Sequence, residues 1–324
     1  MGNVVLQEQN YKEEMIRTVE PYLLKRETVL LLCREPGKEI SCVRYQADRP
    51  KGVVMISHGF TETAEKYKEN IYYLVKAGYH VYMPEHCGHG HSYRLTADPS
   101  LVHIDNYRRY VEDFLFTAHR AKEENPSLPF YLYGHSMGGG IAAAVAAEEP
   151  ELFQKLILSS PMIRPSTGRM PWVLAGTIAA VLCAAGKQQR YVLGQKPYQP
   201  GEKFEDSSSG SEARFQYYQE KRRKEPLYQL SAPSYGWLYE AGRLNRYLQK
   251  KAWKKISIPI LVFQADREYL VSTREQERFL RKLVRKGVVS GKLIRVPGTK
   301  HEIFNSEKRI VEGYWRRILT FLEE

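Results

Sequence analysis

The sequence has few cysteines and no long run of apolar residues. Its 324 residues include four cysteines, Cys33, Cys42, Cys87 and Cys183, and none of them forms a C-x-x-C pair. They are too few for a disulfide framework, and their spacing does not suggest zinc or thioredoxin-like chemistry, so we expect free thiols. No segment reaches the ~20 apolar residues that cross a bilayer, and the first thirty residues lack the apolar region of a signal peptide. The sequence therefore predicts a soluble, cytoplasmic protein.

Acidic residues are scarce in only one part of the chain. The whole sequence has 49 Lys and Arg against 37 Asp and Glu, a net charge of +12. Residues 161–255 contain 17 of these basic residues and 7 of the acidic ones, whereas the rest of the chain contains 32 and 30. This segment also contains an uncharged stretch at 170–186 and a basic run at 221–224. We interpret 161–255 as an insertion into a core domain formed by 1–160 and 256–324.

Outside the insertion, short apolar segments alternate with amphipathic ones. The predicted strands are 27–33, 40–46, 53–57, 79–83, 130–133, 155–159, 259–264 and 292–296. The predicted helices are 65–77, 105–124, 137–149, 273–286 and 306–322. The first two strands flank Pro36-Gly37, which is typical of a hairpin turn. The alternation predicts an α/β fold in which a mostly parallel sheet is covered by helices on both faces.

The pattern G-x-S-x-G occurs once, as Gly134-His135-Ser136-Met137-Gly138. Alone it is weak, but here it directly follows a predicted strand and precedes a predicted helix. A nucleophile at such a sharp turn has a strained backbone, so its neighbours must be glycines that admit close chain approach. The helix that follows directs its N-terminal N–H groups at a developing oxyanion. The pattern therefore predicts Ser136 as a nucleophile.

A serine nucleophile needs an imidazole base and an oxyanion hole. In folds with this turn the chain order is serine, acid, histidine, and His301 is the one histidine beyond His135. It follows the last predicted strand, which predicts His301 as the base. The loop after strand 53–57 should supply an oxyanion donor, and Phe60 lies there. We expect the backbone N–H groups of Phe60 and Met137 to form the oxyanion hole.

Several motifs together resemble the bacterial lysophospholipase and monoacylglycerol lipase group of α/β-hydrolases. They are His58-Gly59-Phe60, the loop 84–92, Gly134-His135-Ser136-Met137-Gly138-Gly139 and His301-Glu302. Residues 94–99 and 233–238 narrow the resemblance toward the lysophospholipase branch. It covers nearly the whole chain after residue 25. It implies the α/β-hydrolase fold, with 161–255 as the helical cap that this group inserts between core strands.

The resemblance also implies a position for the catalytic acid. The group's pattern after this strand is Gly-x-x-Asp-x-x-Val, and 265–271 fits it with Ala265 at the Gly position and Glu268 at the Asp position. Choosing Asp266 would put Tyr269 where the Val belongs. Glutamate is an accepted acid in this fold. We therefore predict Glu268 as the acid and retain Asp266 as the alternative.

The loop 84–92 departs from the group's usual Asp-x-Arg-Gly-x-Gly-x-Ser. Glu85 and Cys87 replace the Asp and the Arg. The potential metal ligands in this loop are His86, Cys87, His89 and His91. The loop pattern already explains its glycines and Ser92, and no carboxylate or cysteine at ligand spacing completes a metal site. We therefore predict neither a metal nor an organic cofactor.

The predicted activity is hydrolysis of an acyl ester in a single-chain lipid, either a lysophospholipid or a monoacylglycerol. A carboxylesterase of small esters and a proline-type peptidase remain open, because one core serves several substrates. A basic, non-catalytic binding protein would explain the charge. It would not explain why the three catalytic motifs occur in order, and the chain has no basic motif interleaved with aromatics. We expect no nucleic-acid partner.

The uncharged stretch 170–186 predicts a helix in the cap. Pro171 lies near its start and Gly186 at its end, and at 1.5 Å per residue it would be about 26 Å long, too short to span a bilayer. A helix that is apolar all round should pack on the core or face an acyl chain. The surrounding positive charge predicts peripheral contact of the cap with anionic membrane, with 221–224 as the contact.

Overall fold

An eight-stranded sheet lies at the centre of the chain. The structure is a computed structural model that describes residues 5–287 and 292–324. Its strands are β1 (Glu27–Glu35), β2 (Lys38–Tyr45), β3 (Gly52–Ser57), β4 (Tyr79–Pro84), β5 (Phe130–His135), β6 (Lys155–Ser159), β7 (Ile260–Ala265) and β8 (Lys292–Val296). Their order across the sheet is β1-β2-β4-β3-β5-β6-β7-β8. The pairs β1–β2 and β2–β4 are antiparallel and the other neighbours are parallel, which confirms the predicted mostly parallel sheet.

The connections between strands are mainly helical. The longer helices are α1 (Lys68–Lys76), α2 (Tyr107–Glu124), α3 (Met137–Glu148), α4 (Trp172–Ala184), α5 (Glu212–Lys224), α6 (Tyr235–Tyr247), α7 (Thr273–Arg285) and α8 (Lys308–Glu323). Short helical segments are Tyr11–Glu14, Met15–Val19, Glu20–Leu24, Ala64–Tyr67, Phe204–Asp206, Pro226–Tyr228, Leu248–Ala252, Trp253–Lys255 and Ile303–Asn305. Leu101–Val102 pairs with Ala232–Pro233 in a separate two-stranded parallel sheet.

Both faces of the central sheet are covered. In β3, Val53 and Met55 pack in a cluster with α2, α3, α6 and α7. Val54 and Ile56 point the other way, into a cluster with α1, α8 and the N-terminal helical segments. Successive residues of a strand face opposite sides, so an unbroken apolar strand such as β3 needs cover on both. The α/β-hydrolase prediction required this arrangement.

The N-terminal helical segments were not predicted. Tyr11, Met15, Val19 and Leu23 are buried and recur every four residues, so they share one helical face. Charged residues lie between them in the sequence, so the segment as a whole is not apolar and its helical pattern was overlooked. The segment packs on the cluster that contains α1 and α8 and touches α5. It therefore joins the core to the region 161–255.

The segment between β6 and β7 contains α4, α5 and α6. Helix α4 begins and ends two residues inside the predicted 170–186. Ala175 and Ala179 are its buried residues, whereas Val173 and Val181 are 78% and 61% exposed. One side of α4 therefore packs on its neighbours as expected, while the other side faces outward. The division into a core and a cap at 161–255 stays a prediction.

None of the helices in the described ranges has both the length and the apolarity needed to cross a membrane.

Candidate active site

Ser136 occupies the turn between β5 and α3. Its φ of +51° lies in the left-handed region that L-residues rarely adopt. The backbone of neighbouring segments crosses this turn closely. A Cβ on Gly138 would lie 2.1 Å from the carbonyl oxygen of Ser57, and one on Gly134 would lie 2.6 Å from the carbonyl oxygen of Gly138. Glycine at both positions is therefore a steric requirement of the turn.

The imidazole of His301 is held by a carboxylate. His301 Nδ1 lies 2.7 Å from Glu268 Oε2. Glu268 Oε1 accepts hydrogen bonds from the backbone N–H groups of Leu270 at 2.9 Å and Val271 at 3.3 Å. The ring's Nε2 is buried and has no hydrogen-bond partner in the described part of the chain. The carboxylate thus fixes the ring through Nδ1 and leaves Nε2 available for proton transfer.

Asp266, the alternative acid, has other neighbours. It is exposed, and its Oδ2 accepts the backbone N–H of Gly298 at 3.0 Å. Gly298 has a φ of +76° and forms the turn before His301. The structure therefore brings Glu268 to His301 and leaves Asp266 bracing the turn that leads to it.

The loop after β3 runs beside the first turn of α3. The Cβ position of Gly138 is close to the carbonyl groups of both Ser57 and His58, which brings this loop to the start of the helix. Within the described residues, the backbone N–H groups of Phe60 and Met137 donate to no protein acceptor. The ring of Phe60 packs on Trp237 of α6, with centroids 4.5 Å apart. Both predicted oxyanion donors therefore belong to adjacent segments.

Three histidines pack together beneath this loop. The ring centroids of His58 and His86 are 4.5 Å apart, and those of His58 and His89 are 5.0 Å apart. His58 contacts the carbonyl of Gly59 through Nδ1 and accepts the N–H of His86 through Nε2. His89 likewise contacts the carbonyl of Cys87 through Nδ1. Because these nitrogens already bond to the backbone, the cluster is a structural packing unit.

The substituted positions of the loop 84–92 also have structural roles. Glu85 accepts the backbone N–H groups of Ala64 at 3.0 Å and His91 at 2.7 Å. Burial raises the pKa of the Cys87 thiol to about 12, so it stays protonated at neutral pH. No group of three or more potential metal ligands is found in 5–287 and 292–324.

A buried charge cluster, made of Glu62, Lys66 and Glu302, adjoins the site. Lys66 Nζ lies 2.5 Å from Glu302 Oε1 and 3.2 Å from Glu62 Oε1. His135 Nε2 is 3.7 Å from Glu62, and burial, opposed by that carboxylate, lowers the pKa of His135 to about 4. Sequence reasoning did not assign a role to any member. The spacing of Glu62 and Lys66 is typical of a helical ion pair, but nothing in the sequence connects them to Glu302.

Comparison with known proteins places the chain among hydrolases. It is 28% identical to "Lysophospholipase L2" of Escherichia coli over 264 residues, which cover 81% of this chain and 77% of that protein. It is 28% identical to "Monoacylglycerol lipase" of Mycolicibacterium smegmatis over 263 residues, covering 81% and 85%. These names confirm the resemblance drawn from the motifs.

Solved structures confirm the α/β-hydrolase fold. A carboxyl esterase from Bacillus coagulans superimposes with a TM-score of 0.74 at 22% identity, covering 92% of this chain and 97% of the esterase. A monoglyceride lipase from Saccharomyces cerevisiae superimposes with a TM-score of 0.73 at 17% identity, covering 94% and 97%. The sequence profile described as "Serine aminopeptidase, S33" matches residues 48–308, a span that includes the Ser136 turn and His301. The chain therefore belongs to the serine aminopeptidase S33 family.

Proposed function

We propose that this protein is a serine hydrolase that cleaves the acyl ester of a single-chain lipid. The observation that carries the proposal is the conjunction of Ser136 on a strained turn with an imidazole that Glu268 holds at 2.7 Å, its second nitrogen left without a partner. Family membership and relatives named lysophospholipase and monoacylglycerol lipase support the enzyme class. No step of this chemistry requires a metal or an organic cofactor.

The reaction follows from the roles of these groups. Ser136 Oγ attacks the acyl carbonyl while His301 Nε2 takes its proton, and Glu268 stabilises the imidazolium through Nδ1. The backbone N–H groups of Phe60 and Met137 stabilise the oxyanion. The intermediate collapses to an acyl-enzyme, and His301 returns the proton to the departing alcohol. Water then releases the fatty acid by the same steps, which regenerates the free serine.

A polar cavity supports a hydroxylated leaving group. The cavity has a volume of about 440 Å³ and is bordered by Thr61, which follows Phe60, and by Glu302, which follows His301. Its other lining residues include Ser207, Ser208 and Gln219 and the charged residues Lys66, Arg214 and Arg222; Ser136 and His301 are not among them. Such hydroxyl and amide groups suit the alcohol part of a lysophospholipid or a monoacylglycerol. A carboxylesterase of small esters and a proline-type peptidase are the competing activities.

We also propose that 161–255 is a cap that contacts anionic membrane, and that α4 provides the contact. In a helix of 3.6 residues per turn, Val173, Leu174 and Val181 fall within one arc of about 100°, opposite the buried Ala175 and Ala179. Their exposed fractions are 78%, 51% and 61%. The exposed basic residues Arg169, Lys187 and Arg190 lie at the two ends of this helix. An apolar face with basic flanks is typical of an interfacial helix.

The basic run 221–224 is less suited to this contact than the sequence suggested. Lys221 lies 2.5 Å from Glu20, and Arg222 lies 3.0 Å from Glu202. Arg222 also donates to the backbone carbonyl groups of Tyr228 and Leu230. These two cations hold the fold together, which leaves Arg223 and Lys224 as the exposed part of the run.

An active-site-directed fluorophosphonate and a substrate panel test the activity. The wild-type protein should be labelled on Ser136 and should hydrolyse lysophospholipids or monoacylglycerols faster than short p-nitrophenyl esters and prolyl peptides. We expect Ser136→Ala and His301→Ala each to lose at least ~1,000-fold in kcat without unfolding, because the triad acts as a unit. Retention of more than a few per cent of esterase activity by purified Ser136→Ala would overturn the nucleophile assignment.

A further inference from the structure

Glu302 borders the polar cavity but takes no part in the proposed bond-making and bond-breaking steps, yet it is one of the most fully bonded carboxylates near the site. Its side chain is 8% exposed. Oε1 accepts from Lys66 Nζ at 2.5 Å and from Ser208 Oγ at 2.6 Å, and Oε2 accepts from Asn305 Nδ2 at 2.8 Å. Burial alone would raise the pKa of Glu302, but these donors outweigh it and lower that pKa to about 2. The carboxylate directly after His301 is therefore charged and fixed.

Lys66 connects this carboxylate to a second one. Its side chain is 11% exposed, and its ammonium also lies 3.2 Å from Glu62 Oε1. Glu62 Oε2 accepts the backbone N–H of Gly59 at 2.6 Å and the hydroxyl of Tyr67 at 2.6 Å. Gly59 immediately precedes Phe60. One ammonium thus lies between the carboxylate that holds the oxyanion loop and the carboxylate next to the base.

The segment that carries Glu302 is also bonded to residues 207–211. The backbone N–H of Glu302 donates to the carbonyl of Ser208 at 3.0 Å, and the N–H groups of Gly210 and Ser211 donate to the carbonyl of Asn305 at 3.1 and 2.9 Å. The loop from His301 to Asn305 is therefore held from two sides, by Lys66 on the core and by backbone bonds to 207–211. The buried ammonium of Lys66 restricts the oxyanion loop and the loop after His301 to one arrangement, because moving either loop would leave this charge unpaired.

We propose that Lys66 is a positioning residue for hydrolysis. It sets the amide of Phe60 through Glu62 and the imidazole of His301 through Glu302, so that the oxyanion hole and the base keep a fixed separation. This inference rests on the proposed function of Ser136 and His301. Lys66, Glu62 and Glu302 would then orient the catalytic groups without touching the reacting atoms. A displacement of about 1 Å in such groups costs up to ~100-fold in rate.

The test compares carboxylate-to-amide variants in two buried ion pairs. Glu302→Gln and Glu62→Gln alter the proposed device. Glu69→Gln is the matched control, because Glu69 is also buried and lies 2.7 Å from a cation, Arg214, but contacts neither loop of the site. The measurements are kcat and KM for p-nitrophenyl butyrate, the rate constant of fluorophosphonate labelling, and the free energy of unfolding.

We expect Glu302→Gln and Glu62→Gln each to lower kcat and the labelling rate by ~10- to 100-fold with KM changed less than about three-fold. Their combination should lose less than the product of the two, because both act through one ammonium. Lys66→Arg should recover most of the rate that Lys66→Met loses. Glu69→Gln should lower the free energy of unfolding by about as much as Glu302→Gln does. It should leave kcat within about two-fold of wild type.

A single variant that leaves a buried charge unpaired can fail to fold. The triple variant Lys66→Met with Glu62→Gln and Glu302→Gln contains no unpaired charge and keeps the side-chain volumes close to native. A folded triple variant with wild-type kcat and labelling rate would overturn the inference, as would equal losses of kcat in Glu302→Gln and Glu69→Gln. If the wild-type protein itself were not labelled, the proposed function would fail; normal labelling with unchanged variants would remove only the role of Lys66.

Discussion

Asp266 and Glu268 both follow β7 and are only two positions apart, but their carboxylates contact different groups. Glu268 Oε2 bonds to His301, while Asp266 bonds to the backbone of Gly298. A triad acid that becomes an amide presents the wrong group to the imidazole N–H and costs about 10⁴ in kcat in a serine protease. Asp266 does not contact the imidazole, so its substitution should lower kcat only by disturbing the turn at Gly298.

We therefore expect Glu268→Gln to lower kcat by ~1,000-fold or more, and Asp266→Asn to lower it by less than about ten-fold. Steady-state hydrolysis by the two purified variants, with folding checked by circular dichroism, measures the difference. Greater damage in Asp266→Asn than in Glu268→Gln would exchange the two roles.

His135 makes the stability of the protein depend on pH. Its pKa is about 4 in the folded chain because of burial, and about 6.5 is its ordinary value. Between these values the unfolded chain binds a proton that the folded chain does not, so lowering the pH favours unfolding. The free energy of unfolding should fall as the pH drops from about 6.5 towards 4, by up to roughly 3 kcal/mol for this group.

Urea unfolding at pH 7, 6 and 5 measures this dependence. His135→Gln should make it less steep, and the part that remains should come from the other buried histidines, His58, His86 and His89, whose pKa values burial also lowers. An equal slope in wild type and His135→Gln would show that the remaining buried histidines account for the whole effect.

At the scale of single residues, pattern and chemistry predict some contacts and miss others. Ser136 and His301 could be predicted because the reaction needs a serine at a strand-to-helix turn and a histidine later in the chain. Few residues of this sequence meet these conditions. The link from Lys66 to Glu302 joins positions 236 residues apart, and no local pattern indicates it. Long-range ion pairs depend on how elements pack, which a single sequence does not display.

Among the elements, α4 is the one whose surroundings were least predictable. Its composition indicated a helix, and the helix formed close to the expected bounds. The sequence did not indicate which face of α4 would be buried, because residues of similar hydropathy lie on all sides of the helix. The direction comes from α6, against which α4 packs. By contrast, the amphipathic α1 and α8 were predictable in both position and orientation.

The exposed face of α4 gives a prediction for membrane binding. The double variant Val173→Ser with Val181→Ser should bind anionic vesicles at least ~10-fold more weakly, because it removes two apolar side chains from the contact. Replacing Arg169, Lys187 and Arg190 with Gln should also weaken binding and reduce its dependence on salt. Vesicle co-sedimentation over a range of anionic lipid content and ionic strength measures both effects.

Val284→Ser is the control for this experiment. Val284 is 50% exposed on α7 and lies outside residues 161–255. Its substitution should leave vesicle binding unchanged. Binding that ignores lipid charge, salt and the α4 substitutions would remove the membrane contact from the proposal and leave the catalytic assignment intact.

For the whole molecule, the N-terminal helical segments and α5 form one connected unit. Arg214 of α5 is buried and lies 2.7 Å from both Glu8 and Glu69. Lys221 of the same helix pairs with Glu20. Helix α5 is thus fixed to the N-terminal region and to α1, while α4 packs on α6. These two helices of residues 161–255 are therefore held by different parts of the chain.

Removal of Arg214 should destabilise the fold strongly. Arg214→Met leaves Glu69 buried without its cation, and such a loss costs about 3–5 kcal/mol. Arg214→Met combined with Glu69→Gln should recover part of this, because the carboxylate that then lacks its cation, Glu8, is 32% exposed whereas Glu69 is 4% exposed. Urea unfolding of the three proteins measures it, and a single variant as stable as wild type would show that water compensates the carboxylate.

The outward apolar face of α4 also bears on the behaviour of the protein in lipid-free buffer. Val173 and Val181 then have no surface to meet except that of another copy. Exposed apolar patches of this kind promote self-association in proportion to concentration, and detergent or lipid competes with it. Self-association and the proposed membrane contact would thus be two outcomes of one surface, and we expect a polar substitution that improves recovery from solution to weaken attachment to lipid.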